Sequence, residues 1–193
     1  VKYRSYKGQV GHIAPNIISR DFTAEAPNLK WTTDVTQITI NSEKLFLSPI
    51  LDVYNGEIIS YNISRTPNLE QIYDMLDKAF MRFKDLRGLI LHSDQGWQYQ
   101  HFSFVDSLKK KGITQSMSRK GNCYDNALME SFFGTMKSEL LYLQNFSSLD
   151  EFESELKKYV QYYNCDRIKT RLKMSPVNYR KKYQNSFTNP SNL

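Results

Sequence analysis

Cysteine is scarce in this chain: Cys123 and Cys165 are the only two in 193 residues, too few for a disulfide framework or a zinc knuckle. Both are expected to be reduced thiols in a cytoplasmic setting. Long apolar runs are also missing. Ser48, Pro49 and Asp52 interrupt the longest candidate, so nothing reaches the roughly 18 residues that span a bilayer, and a soluble protein is expected. Low-complexity tracts are absent, and Gly (8) and Pro (6) stand at ordinary levels, which excludes collagen-like and fully disordered classes. The chain starts at Val1 without an apolar signal segment and reads as an excerpt of something longer. What is present is 40% hydrophobic and 13% aromatic content, enough for one good-sized core.

Charge of one sign is unevenly spread. Residues 1–30 carry five basic and two acidic side chains, residues 31–107 six and ten, and residues 108–193 fifteen and eight. Basic flanks such as Lys109-Lys110-Lys111, Arg119-Lys120 and Arg167-Ile168-Lys169-Thr170-Arg171 suit a polyanion, whose binding would depend on salt through counterion release. The acidic middle does not, unless cations sit on it. The pattern points to a nucleic-acid enzyme that holds metal ions at its centre.

Trp31 to Ile40 and Lys44 to Val53 read as strands, and Asn55-Gly56 gives a two-residue hairpin signal leading into a third, Ile58 to Ile63. Apolar positions from Leu69 to Phe83 keep helical spacing behind an Asn68 N-cap, with the helix ending near Arg87-Gly88. Leu89 to His92 is a short buried strand, Phe102 to Lys111 a helix closed by Gly112, and Ile113 to Met117 another strand. The polar loop Ser118 to Asn122 precedes a long helix from Tyr124 to Leu143. Ser148-x-x-Glu151 is a capping box for a helix through Tyr163, and Ser175-Pro176 starts a last one. This order implies an α/β fold, a mixed five-stranded sheet flanked by helices. Residues 1–27 read as a lead-in, 28–165 as the core and 166–193 as a basic C-terminal tail with a short helix.

Two-metal phosphoryl transfer needs hard oxygen ligands, so Asp and Glu at strand ends beside a helix are the candidates. Asp34 follows Trp31-Thr32-Thr33, Asp94 ends the fourth strand, and Glu130 lies on the long helix. If the first and fourth strands are neighbours, Asp34 and Asp94 project at one point. Thirty-five residues separate Asp94 from Glu130, but the same separation links Asp21 to Glu57 and Asp34 to Glu70, so context decides. Asp21 lies in the polar lead-in, Glu57 follows a turn, and Glu70 complements the first turn of a helix. Glu130, among Ala127, Leu128, Met129, Phe132 and Phe133, is expected to be semi-buried and costly without a cation.

Three segments then resemble a known group: Trp31-Thr32-Thr33-Asp34-Val35-Thr36, His92-Ser93-Asp94-Gln95-Gly96-Trp97-Gln98-Tyr99, and the run from Ser118 to Phe133 that contains Asp125-Asn126-Ala127-Leu128-Met129-Glu130. They are similar to bacterial insertion-sequence transposases of the two-reading-frame type, as the second-frame product, within the DDE superfamily that also includes the retroviral integrases. Tyr163-Asn164, Arg167-Ile168-Lys169 and Ser175-Pro176-Val177-x-Tyr179 match that group's C-terminal signature, although the stretch from Leu172 to Ser175 is one residue shorter. The resemblance implies a ribonuclease H-like core acting on DNA with two Mg²⁺ or Mn²⁺ ions, held by Asp34, Asp94 and Glu130. It further implies cleavage of element ends and strand transfer by 3′-OH attack. A homo-oligomer on DNA, a helix-turn-helix partner or fused N-terminal domain, and a bacterial, nucleoid-associated location follow from the same source. A catalytically silent DNA-binding fragment and a ribonuclease H-type nuclease are the alternatives.

Lys137, seven residues after Glu130 and so on nearly the same helix face, is the expected phosphate contact. Arg119, Lys120, Asn122 and Gln95 are further expected DNA contacts. His92 shares strand parity with Asp94 and either supports the site or simply packs. Asp52 is a rival carboxylate, Asp125 is expected to cap the long helix, Trp97 fits either a DNA-facing loop or the core, and Tyr162 and Tyr163 are expected in the core.

Overall fold

The computed structural model describes residues 11–120 and 123–188. Its elements run β1 (Lys30–Thr33), β2 (Thr36–Ile40), β3 (Glu43–Asp52), β4 (Ile58–Ser64), α1 (Leu69–Arg82), β5 (Ile90–Ser93), α2 (Trp97–Gln100), α3 (Phe102–Lys110), β6 (Thr114–Met117), α4 (Ala127–Met136), α5 (Leu149–Cys165) and α6 (Pro176–Thr188).

The expected first strand is split in two. Thr33 pairs with Ile50 and Thr36 with Leu47, so β1 and β2 lie on one line against β3 in one unbroken register, with Asp34 and Val35 between them. Counted as a single strand, β1/β2 makes the sheet five strands wide, in the spatial order β4, β3, β1/β2, β5, β6. The β1–β3, β2–β3 and β3–β4 pairs are antiparallel, while β1–β5 and β5–β6 are parallel. This is the mixed sheet that the element order implies.

Local chemistry sets the corners. Asn41 (φ 48) and Ser42 (φ 69) take the left-handed conformation required by a two-residue turn between β2 and β3. The β3–β4 turn is longer than Asn55-Gly56 suggests: Asp52 donates its N–H to Glu57 O and Gly56 donates to Asp52 O, leaving residues 53–56 as the loop. The Asn68 side chain caps α1 by accepting from Gln71 N at 3.0 Å. That helix stops at Arg82 with Phe83 as its C-cap, where the apolar spacing ends and ahead of the expected stop near Arg87-Gly88. At α5, Ser148 Oγ accepts from Glu151 N as a capping box requires, but the Glu151 carboxylate turns to Ser147 instead.

Both faces of the sheet are covered. Trp31, Ile50 and Leu91 meet Ile72, Met75 and Leu76 of α1 and Phe104 and Leu108 of α3. Ile38, Leu45, Leu47 and Leu51 meet Met129, Phe132 and Met136 of α4 and Phe152 and Leu156 of α5 on the other face. Each such fully buried side chain contributes on the order of 1.5–3 kcal/mol. The long helix expected over 124–143 is three pieces: a 3₁₀ turn (Cys123–Asn126), α4, and a π-helical stretch (Lys137–Leu141).

The first and last described segments are tied to this body. Ala14 and Ile18 are buried, and the N–H groups of Ile17 and Ile18 donate to Ser116 Oγ on β6. At the other end, α6 drives Arg180 into the β3–β4 turn, where it meets Asp52 at 2.6 Å and Glu57. The stretch before α6 forms a tight turn closed by a Lys169–Met174 bridge, with Lys173 at φ 56. At the outer edge of the sheet, Asn164 of α5 accepts from Ile58 N and donates to Ile58 O, both at 2.9 Å.

Candidate active site

The parallel pairing of β1 with β5 aligns Lys30 with Ile90, Trp31 with Leu91 and Thr32 with His92. Continued two residues past the last paired rung, the same register sets Asp34 beside Asp94. The condition read from the sequence, that the first and fourth strands be neighbours, is met. Side chains alternate along a strand, so Thr32, His92, Asp34 and Asp94 belong to one face, the one covered by α4.

Thr32 donates its hydroxyl to Asn126 Oδ1 at 3.1 Å, and Asn126 Nδ2 donates to Asp34 Oδ2 at 3.0 Å. Asp34 Oδ1 accepts from Val35 N at 2.7 Å, and Asp94 Oδ1 accepts from Gly96 N at 2.8 Å. Gly96 leaves room there: a Cβ would stand 2.9 Å from Asp94 Oδ1 and 2.5 Å from Gln98 Nε2, so one of these side-chain ends would have to shift. Burial and the charges of Asp94 and Glu130 push the Asp34 carboxyl up to about 7. Like charges gathered with no basic partner produce such a shift.

Glu130 is exposed and stands in the first turn of α4, not semi-buried in mid-helix as expected. Its apolar sequence neighbours Met129, Phe132, Phe133 and Met136 point the other way, into the core. Among the described residues Asp34, Asp94 and Glu130 form no ion pair, and no three His, Cys, Asp or Glu side chains converge to hold an ion. Carboxylates that no cation neutralises are nonetheless hard oxygen donors of the kind that Mg²⁺ or Mn²⁺ takes.

His92 is wholly buried. Ser116 Oγ accepts from Ile17 N and Ile18 N, so its hydrogen goes to His92 Nδ1 at 2.8 Å, which leaves Nε2–H to donate to Asp125 O at 2.7 Å. Burial holds this imidazole below its ordinary pKa. The histidine therefore fastens the turn that carries Asn126 rather than facing the carboxylates.

Asp125 does not cap α4. Its carboxylate receives the Arg119 N–H, Nε and Nη2, Arg20 Nε and Asn16 Nδ2, at 2.9–3.0 Å. The Arg119 and Arg20 guanidiniums hold it well below the usual carboxylate range. Among the expected DNA contacts, Arg119 is thus ion-paired to Asp125, Gln95 Nε2 donates to Ser118 O at 3.0 Å, Lys120 is exposed and Lys137 half-buried. Asn122 lies outside the described residues. Asp52 is fully buried against Arg180, a structural carboxylate. Trp97 is exposed, Tyr163 is in the core, and Tyr162 is exposed instead of packed. Asn126 escaped the sequence reading, which set it inside a helix starting at Tyr124; the structure puts it at the N-cap of α4 instead.

Residues 24–123 match the integrase core domain family, and residues 130–183 match a second integrase core domain family. A transposase-like protein of Haemophilus influenzae is 53% identical over 93% of this chain and 83% of its own length. The chain belongs to the integrase-core family of insertion-sequence transposases. The InsK protein of insertion sequence element IS150 in Escherichia coli K12 is 50% identical over 93% of this chain, which spans 64% of that relative. The integrase core of HTLV-2, solved in complex with magnesium, superposes with a TM-score of 0.64 at 17% identity, over 81% of this chain and 99% of that one. The fold is accordingly the ribonuclease H-like fold of the retroviral integrase cores. Among the described residues of this integrase core, no helix is long and apolar enough to cross a membrane.

Proposed function

We propose that this chain is the catalytic domain of a DNA transposase, which cleaves the ends of an insertion element and joins the freed 3′-hydroxyl to another strand. The observation that supports this reading is the parallel register of β1 and β5, whose continuation by two residues would set Asp34 beside Asp94 on the face covered by α4. Asp34 and Asp94 would bind the cations jointly, and Glu130 would close the set. Divalent cations bound there would lower the pKa of the attacking water or hydroxyl and neutralise the leaving oxygen.

The chain's own residues do the rest. Asn126, fixed by Thr32, turns Asp34 Oδ2 toward the shared face. Gly96 keeps the space beside Asp94 open. Lys137 and Lys120 would meet backbone phosphates, joined by Gln95 and Asn122, and by Arg119 on the arm of Asp125. The catalytic boundaries 28–165, a homo-oligomer on DNA, a helix-turn-helix partner and a nucleoid location belong to the same proposal.

Glu130→Gln should cut Mg²⁺-dependent cleavage and joining of an element-end oligonucleotide by at least about 100-fold, since even an outer partner of a metal ligand is worth 10–100-fold, while most DNA binding persists. Wild-type joining by that variant would reject the assignment. The exposed, unconverged Glu130 favours one second reading, a DNA-binding fragment without catalysis. Mn²⁺-dependent nicking by the unaltered chain separates the two, and joining as well as hydrolysis excludes a plain nuclease.

A further inference from the structure

The C-terminal segment is basic in an unusual way. On the helices elsewhere many cations are answered by acids of the same helix: Lys157 and Lys158 on α5 pair with Glu153 and Glu155, Lys78 on α1 with Asp74, and Lys110 on α3 with Asp106. Between residues 166 and 183 stand seven cations and one acid, Asp166. Two of the seven are consumed structurally, Arg167 by Glu139 and Arg180 by Asp52 and Glu57. Lys169, Arg171, Lys173, Lys181 and Lys182 form no ion pair among the described residues.

These five gather around the β3–β4 turn. Lys169 Nζ donates to Gly56 O at 3.4 Å and lies over the Tyr163 ring, 4.7 Å from its centroid. Arg171 Nη2 donates to Tyr54 O at 3.1 Å. The same Tyr54 packs its ring on Tyr179 and Tyr183 of α6, which brings the neighbouring Lys181 and Lys182 to the same end of the molecule. The turn that closes at the Lys169–Met174 bridge presents Lys173. A backbone carbonyl and an aromatic face hold Lys169, and a backbone carbonyl holds Arg171, without neutralising either.

We infer that this cluster is a second DNA-binding surface, gripping the phosphate backbone of a duplex at the end of the sheet away from Asp34 and Asp94. The opposite placement follows from register: Asp52, at the mouth of the β3–β4 turn, pairs with Trp31, three residues and so about 10 Å along the strand from Asp34. Burial, and after it the Arg167 and Arg171 charges, push the Lys169 ammonium down to about 8, so a phosphate brought beside it would favour its charged form. Phosphate contacts of this kind carry affinity and register rather than base specificity. The inference deepens the transposase reading by giving the substrate a second hold beyond the cleavage point.

The test is the salt dependence of duplex binding, measured in EDTA so that metal-dependent steps do not contribute. Each lost phosphate contact lowers the slope of log affinity against log salt by about 0.9. R171Q/K173Q/K182Q, all at exposed positions, should lower the slope by about 2–3 relative to the unaltered chain and leave its thermal unfolding temperature unchanged. The single charge reversal K173E should weaken binding alike for unrelated duplex sequences. An unchanged slope in the triple variant, or an effect confined to one sequence, overturns the inference. Failure of the catalytic reading would appear separately, as absent Mg²⁺-dependent cleavage with this slope intact.

Discussion

Replacing Arg180 by Met should destabilise the chain severely. The Asp52 and Glu57 side chains are completely buried, and Arg180 is only 6% exposed. Its Nη2 meets Asp52 at 2.6 Å, its Nε meets Glu57, and its Nη1 donates to Asn28 Oδ1 at 3.2 Å. Without Arg180, Glu57 keeps Arg82, but Asp52 keeps only the N–H groups of Asn28 and Tyr54. An uncompensated buried charge of this kind costs about 3–5 kcal/mol, a large share of the roughly 5–15 kcal/mol that stabilises a domain. At about 2–4 °C per kcal/mol for a chain of this size, the melting temperature should fall by about 6–20 °C. Urea unfolding followed through the fluorescence of buried Trp31 gives the free energy directly.

The pH dependence sharpens this test. Burial holds the Asp52 carboxyl above its ordinary value even with Arg180 present. A raised native pKa means that stability is withdrawn as pH climbs from the ordinary carboxylate range through the native value. Burial also pushes Glu57 up, but the Arg180 and Arg82 charges more than offset it and leave it low, so its contribution is lost on acidification. Both effects narrow the gap between R180M and the parent at low pH. A loss below about 1 kcal/mol, or a gap that widens on acidification, would refute the ion cluster as the clamp on α6.

Other outcomes follow from single contacts. Gly96→Ala, at an ordinary φ of −56, should raise the Mg²⁺ concentration needed for cleavage about 10–100-fold by crowding Asp94, with little change in melting; an unaltered Mg²⁺ titration would count against it. Asp125→Asn should cost about 1–3 kcal/mol through its charge-assisted hydrogen bonds and speed proteolysis within residues 11–28; an equal digestion rate would contradict the tether. For Lys169, whose native ammonium sits near 8, the unfolded chain binds the extra proton between there and the ordinary lysine value, so stability should rise with pH across that window. Lys169→Met should abolish that rise, which the pH dependence of the urea midpoint would reveal.

Local pattern was a good guide where packing repeats it. The Asn68 cap, the Pro176 start and the β2–β3 strands are written in neighbouring residues, and so is the α/β order. What the sequence left conditional was the adjacency of β1 and β5, because a parallel pairing joins residues sixty positions apart through a crossover that no local period encodes. Glu130 was misjudged because sequence neighbours are not spatial neighbours: Met129, Phe132 and Phe133 occupy the inward face of α4 while Glu130 looks outward. The division of the long helix was equally hidden. The π-helical stretch contains Glu139, whose partners Tyr159 and Arg167 come from distant parts of the chain. Asp125 looked like a cap because Asn16, Arg20 and Arg119 converge on it only after folding.

The gap at Asp34 and Val35 has a consequence for how this region tolerates change. Thr33 opposite Ile50 and Thr36 opposite Leu47 share one count along β3, so the interruption takes two residues out of the pairing without altering the tally. Identity at 34 and 35 is therefore negotiable in a way that length is not. One residue inserted or deleted there would swing Ile38 and Ile40 out to water and bring Gln37 and Thr39 inward, since sides alternate at every step. Frame-preserving substitutions and length changes in this short stretch should consequently fail for different reasons, the former through lost activity and the latter through lost folding.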